Sequence, residues 1–268
     1  MDTVLVVANW LLPLFYLTLL IAYGATFFLR TKAHVRNVWL VPVVVFHALF
    51  LAGRGLALGR LPMVSVYEVL SLLALSTAAV YCVAEFASGD RRTGMFVLLL
   101  VFLFQYTSSI FFSEGPSPGN ATQSNWTRLH IVPAVLAYTA LAFAAVYGLL
   151  HLVAQRDLRR HHFGLLFDRL PPLELLGRMT WYALIVGFLF MTVSIATGAV
   201  VFSRLGAGAM EAKVASKIVI GSIAWLVCLV AVLGRTVGKW SDRRVSGIAV
   251  AGFLAIMVLM VFSAVLSV

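Results

Sequence analysis

Val43-Val44-Val45-Phe46-His47-Ala48-Leu49-Phe50 runs on through Leu51-Ala52-Gly53 to Arg54, inside an apolar window of roughly residues 38–58 that is long enough to cross a bilayer. An ionisable side chain is costly in hydrocarbon, so a span that keeps one usually marks a function. His47 and Arg54 are not alone in this. Glu68, His130 and Lys217 also interrupt or abut long apolar runs.

Outward from that stretch, windows of about 20 apolar residues recur at roughly 4–28, 38–58, 65–86, 93–112, 130–153, 178–201, 214–234 and 246–266. The chain of 268 residues is 62% hydrophobic and 11% charged, with a mean hydropathy of +1.01. So much apolar surface cannot be hidden inside a water-surrounded globule. The sequence therefore predicts an all-α integral membrane protein, a single bundle of eight transmembrane helices over residues 1–268. Asp2 precedes the first window, and Arg30, Lys32 and Arg36 follow it, the reverse of a secretory signal, so that helix is expected to be retained.

The net charge of +10 sits in short connecting loops rather than on a soluble face, which argues against a nucleic-acid partner. Fourteen Lys and Arg fall in the odd-numbered loops, against only Arg60, Arg128, Arg204 and Lys213 in the even ones. The odd loops are accordingly expected to be cytoplasmic and both termini to face outward, with the inner (cytoplasmic) membrane as the location. Cys82 and Cys228 lie inside spans, outside any Cys-X-X-Cys-His haem attachment motif, and read as small buried hydrophobes. The outer segment from Ser113 to Arg128 carries two sequons, Asn120-Ala121-Thr122 and Asn125-Trp126-Thr127, and is too polar and broken to pack. The longest inner loop, Gln155 to Gly177, is expected to lie partly as an amphipathic helix on the membrane surface. Its His161 and His162 lack Cys or carboxylate at ligand spacing and read as solvated; His34 and His151 are given no role.

A neutral imidazole as deep as His47, about 15 Å from the outer end of its span, must hydrogen-bond a neighbouring helix or act as a ligand, and imidazole, which a helix bundle can supply, is the usual protein donor to b-type haem iron. Arg54 falls two turns further along the same face. It needs an anion, a watery cavity or room to snorkel outward. Ser65-Val66-Tyr67-Glu68 has capping-box spacing, which accounts for Glu68 without any ligand. His130 stands at the outer start of the fifth span, where one ring nitrogen can meet a ligand while the other bonds a loop carbonyl. Lys217, at the outer end of the seventh span, reads either as an ion-pair partner for Glu68 or as an anchor for an anionic ligand.

Phe46-His47-Ala48 with Arg54, Gly59-Arg60-Leu61-Pro62 through Val66-Tyr67-Glu68, Leu129-His130 through Ala137-Tyr138, Leu170-Pro171-Pro172-Leu173-Glu174, and Ser216-Lys217 through Ala224-Trp225 to Gly234-Arg235 follow one another in an order and spacing that matter more than any one of them. In this the chain resembles the CcsA/HemX/YpjD group of cytochrome c assembly membrane proteins over nearly its whole length. The resemblance implies haem handling, with His130 as the first external histidine. Its haem-delivery members carry a tryptophan-rich outer segment before the seventh span and a second outer histidine. Residues 199–216 here hold no tryptophan, and no histidine follows His162, which places the chain with the shorter HemX/YpjD-like branch.

The resemblance thus implies a non-enzymatic protein that holds non-covalent b-type haem near its outer half during cytochrome c assembly. His130 and His47 would be iron ligands, and Arg54, Arg60, Glu68, Tyr138 and Lys217 would complete the haem-binding set. His47 and His130 differ by about 15 Å in depth, so they are not expected to clasp one iron; any haem would be five-coordinate, take a second ligand such as Met63, or be shared with a partner subunit. Other assembly proteins are the expected partners. Two rival readings are a HemX-like regulator of a haem-biosynthesis enzyme, acting through the Gln155 to Gly177 loop, and a transporter of small organic anions.

Overall fold

The computed structural model describes residues 3–29, 39–63, 65–111, 125–161, 164–205 and 212–266. They form nine helices among the described residues: α1 (Thr3–Leu29), α2 (Leu40–Leu58), α3 (Val66–Ser88), α4 (Gly94–Ile110), α5 (Asn125–Arg159), α6 (Leu165–Arg169), α7 (Leu173–Leu205), α8 (Ala212–Thr236) and α9 (Asp242–Leu266). Seven of these are long and apolar enough to cross a membrane; α4, with 17 residues, is a shorter apolar helix. Large apolar side chains remain exposed along them, among them Val4, Leu49, Val83, Leu189 and Val258. Such surfaces suit lipid, and helices suit it too because each satisfies its own backbone. The protein is an all-α, multi-pass membrane protein.

Contacts divide the chain into two compact units, Met1–Pro116 with Asp168–Leu170, and Ser117–Phe167 with Pro171–Val268. In the first, α2 packs on α1 and α3, while α4 packs on the same two helices, closing a four-helix ring. Local signals set its turns. Gly59 ends α2 at φ 61° and Gly89 ends α3 at φ 66°, left-handed conformations that favour glycine. The Ser65–Glu68 capping box forms as its spacing predicts: Ser65 Oγ accepts from Glu68 N at 3.3 Å, and Glu68 Oε2 from Ser65 N at 3.2 Å.

In the second unit α5 is the central helix, packed on α7 and α9, with α8 against α7 and α9. Ala137, Ala140, Ala144 and Ala145 are buried along α5, and a Cβ on Gly148 would come within 3.1 Å of the Ser246 carbonyl on α9. Small residues let membrane helices approach this closely. Two expectations are corrected. Helix α5 starts at Asn125 and runs to Arg159, well past the apolar window, because Gln155, Arg156 and Asp157 end the hydrophobicity without ending helix propensity. The loop after α5 is correspondingly shorter than Gln155 to Gly177, and its described helical part, α6, has five residues. The first sequon, His34, His162 and Glu211 lie outside the described residues.

Candidate functional site

His47 has no exposed surface, and both its ring nitrogens are bonded. Nδ1 lies 2.9 Å from the Tyr16 hydroxyl and Nε2 3.0 Å from Ser71 Oγ. Ser71 commits its one hydrogen to Gln105 Oε1 at 2.8 Å, so it can only accept from the imidazole. His47 is therefore protonated on Nε2, and Nδ1 accepts from Tyr16. The chain of bonds continues through Gln105 Nε2 to Ser109 Oγ (3.1 Å) and from Ser109 Oγ to the Asn9 carbonyl (2.9 Å), while Asn9 Nδ2 returns to the Ser109 carbonyl (3.1 Å). All four helices of the first unit contribute. The sequence signalled that His47 needs a partner; the serines, Gln105 and Asn9 carried no visible signal, because each is a single polar residue in a different apolar window.

Two turns along α2, Arg54 is 5% exposed and lies 3.3 Å from Glu68 Oε1, so a carboxylate on a neighbouring helix supplies its anion and the outward-snorkelling alternative falls. Arg60, counted as a loop base from sequence, is also buried. The left-handed turn at Gly59 carries the chain back, Arg60 N bonds the Gly55 carbonyl at 3.1 Å, and its guanidinium grips Glu68 at 3.0 Å through both Nη1 and Nη2. Arg54, Arg60 and Glu68 form one cluster in which two guanidiniums face one carboxylate. Its charge is positive by one.

His130 belongs to the second unit and differs in kind. It sits at the start of the apolar span Leu129–Arg159, in the second turn of α5, and its Nδ1 lies 2.7 Å from the Ser194 carbonyl on α7, not a loop carbonyl. A carbonyl only accepts, so the proton is on Nδ1 and Nε2 carries a free lone pair. Nε2 has no hydrogen-bond partner among the described residues. Ser194 Oγ adds a bond to the His130 carbonyl at 3.3 Å, and the ring lies against Gly198, where a Cβ would come within 2.9 Å of Cε1 and Nδ1. Ser194 and Gly198 were missed in the sequence, since only the fold brings α7 to His130. An Nδ1–H held by a carbonyl is the usual way a protein fixes the ring of a metal-binding histidine.

Tyr138 is half-buried about two turns further along α5, and Lys217 is exposed near the start of α8. Trp225, deeper in α8, stacks on Phe188 with ring centroids 5.8 Å apart and donates to Thr192 Oγ1 at 3.0 Å. Cys82 and Cys228 are buried free thiols. No cluster of three His, Cys, Asp or Glu at metal-binding distance occurs among the described residues.

The family described as "Cytochrome C assembly protein" matches over residues 63–268. The chain belongs to that family. The match takes in Glu68, His130, Tyr138 and Lys217 and begins after His47, Arg54 and Arg60. Among relatives, the cytochrome c biogenesis protein CcsA of Nostoc punctiforme is 28% identical over 163 residues, 56% of this chain and 46% of its own. That of Heterosigma akashiwo is 29% identical over 112 residues, 40% of this chain and 35% of its own. The CcsA of Microcystis aeruginosa is 29% identical over 113 residues, 41% and 34%. The chain thus spans between about a third and a half of the curated relatives it matches. No solved structure matches it significantly.

Proposed function

We propose that this family member takes part in cytochrome c assembly in the inner membrane, holding non-covalent haem on its outer half through His130 Nε2. The observation that carries the reading is the state of that imidazole: Nδ1–H fixed on the Ser194 carbonyl, Nε2 unprotonated and unpartnered, the ring seated against Gly198. Bound there, haem would be the group presented for attachment to an apocytochrome. Ser194 sets the tautomer, and the absence of a side chain at Gly198 leaves room for the ring. Lys217 and Tyr138, in the same unit, are the proposed contacts for a propionate and for the porphyrin edge. His47 has both nitrogens engaged, so iron ligation by it would require replacing Tyr16 or Ser71, and the reading assigns it to holding the first unit together. No bond-making step is assigned to the protein.

The test is the visible absorption spectrum of the detergent-purified protein with added haem, oxidised and reduced, beside His130→Ala. A Soret band that shifts on binding and is lost in the variant is expected. A colourless wild-type protein, or a band unchanged by His130→Ala, overturns the assignment.

A further inference from the structure

A cavity of about 500 Å³ opens in the first unit where α1 ends and the turn between α3 and α4 begins. Its apolar wall comes from Ala22, Phe27 and the Tyr23 ring, and its polar rim from Asp90, Arg91, Arg92, Asp168 and Arg169. Beneath it Glu85 is buried, accepting from the Tyr23 hydroxyl at 2.6 Å and paired with Arg91 Nε at 2.7 Å. Arg92 holds Asp90 through Nε and Nη2 at 2.7 to 3.0 Å. Two of the three arginines thus face carboxylates. Arg169 does not: its Nη1 is shielded from solvent with no hydrogen-bond partner among the described residues. A buried guanidinium nitrogen left in that state costs free energy that an incoming oxyanion would recover.

The charges on and under the rim, three arginines against Glu85, Asp90 and Asp168, cancel. A ligand matched to them is neutral overall but carries separated charges, an oxyanion for Arg169 and a cation for Asp168. The volume is that of a small-molecule site. Phe28, Leu29 and Phe86, close by in the chain, expose apolar surface, so the cavity lies where a span meets its boundary rather than out in water. Arginine-bearing pockets between membrane helices at that level are where lipid headgroups bind, and the carboxylates here offset the arginines.

We propose that this cavity binds the headgroup of an amine-bearing phospholipid, its phosphate on Arg169 and its ammonium on Asp168. The site is independent of His130 and of haem.

The test is native mass spectrometry of the full-length protein from detergent, offered phosphatidylethanolamine, phosphatidylglycerol or soluble phosphoethanolamine. Wild type should retain one phosphatidylethanolamine in preference to phosphatidylglycerol. Arg169→Gln should lower that retention about tenfold, on the scale of a charge-assisted hydrogen bond, and Arg169→Lys should keep part of it. Asp168→Asn should erase the preference between the two lipids while keeping the lipid. Arg160→Gln, an exposed position off the rim, should change nothing, and a monodisperse, helical Arg169→Gln protein rules out misfolding as the cause. Capture of soluble phosphoethanolamine with the same dependence on Arg169 and Asp168 would support the chemistry with a water-borne source. Equal retention in Arg169→Gln, or a wild-type preference for phosphatidylglycerol, overturns the proposal.

Discussion

His47 in the first unit and His130 in the second are both imidazoles in apolar helices, yet one has two hydrogen-bond partners and the other has one. The difference decides what each can do. Doubly bonded, His47 ties α1 to α3 and feeds a bond chain that reaches α4. Bonded through Nδ1 alone, to the carbonyl and hydroxyl of Ser194, His130 keeps a lone pair on Nε2. Depth in the membrane, which made His47 the more conspicuous residue in the sequence, is a poor guide to ligand capacity. The count of committed nitrogens is a better one.

The largest expected effect sharpens the structural side of that contrast. Glu68→Gln leaves Arg54 and Arg60 buried without their carboxylate, and breaking a buried pair in this way costs about 3–5 kcal/mol; thermal unfolding in detergent should show the loss. Next, Gly198→Ala pushes on the His130 ring and its bond to Ser194. Haem affinity should fall about 10–100-fold, the range for loss of an outer-shell partner, with little change in stability. Smaller again is Ser71→Ala, which unhooks His47 from Gln105. Hydrogen bonds between membrane helices average about 0.6 kcal/mol and reach about 1.7, so a stability loss in that range with unchanged haem affinity is expected. A haem effect as large as that of Gly198→Ala would break the contrast.

The smallest effect concerns the turn between α3 and α4. Burial would raise the Asp90 carboxyl, but hydrogen bonds from the Arg92 side chain and backbone, with its charge, hold it below the ordinary value. A lowered folded-state pKa gives stability that is present above the ordinary carboxylate range and lost as pH falls through the lowered value. Asp90→Asn should therefore cost no more than about 0.5 kcal/mol at neutral pH. The gap between variant and wild-type unfolding midpoints should close in acid.

What could be read from the sequence was what is local. Seven of the eight apolar windows located helices long and apolar enough to cross a membrane, the eighth a shorter apolar helix, and Ser65 with Glu68 announced its own capping box three residues apart. Arg60 escaped because a single left-handed glycine turns a loop base into a buried one. The bonds of His47 and His130 escaped because Ser71, Gln105 and Ser194 lie 24 to 64 residues away on other helices, at spacings no periodicity reveals. The end of α5 was misplaced because hydrophobicity and helix propensity part company after Val153.

The central claim, that one histidine ligates and the other braces, is tested most directly by titrating haem into wild type, His130→Ala and His47→Ala in the same detergent and following the Soret band. His130→Ala should lose the band while His47→Ala binds as wild type does, from a less stable protein. Loss of the band in His47→Ala with its retention in His130→Ala would contradict it.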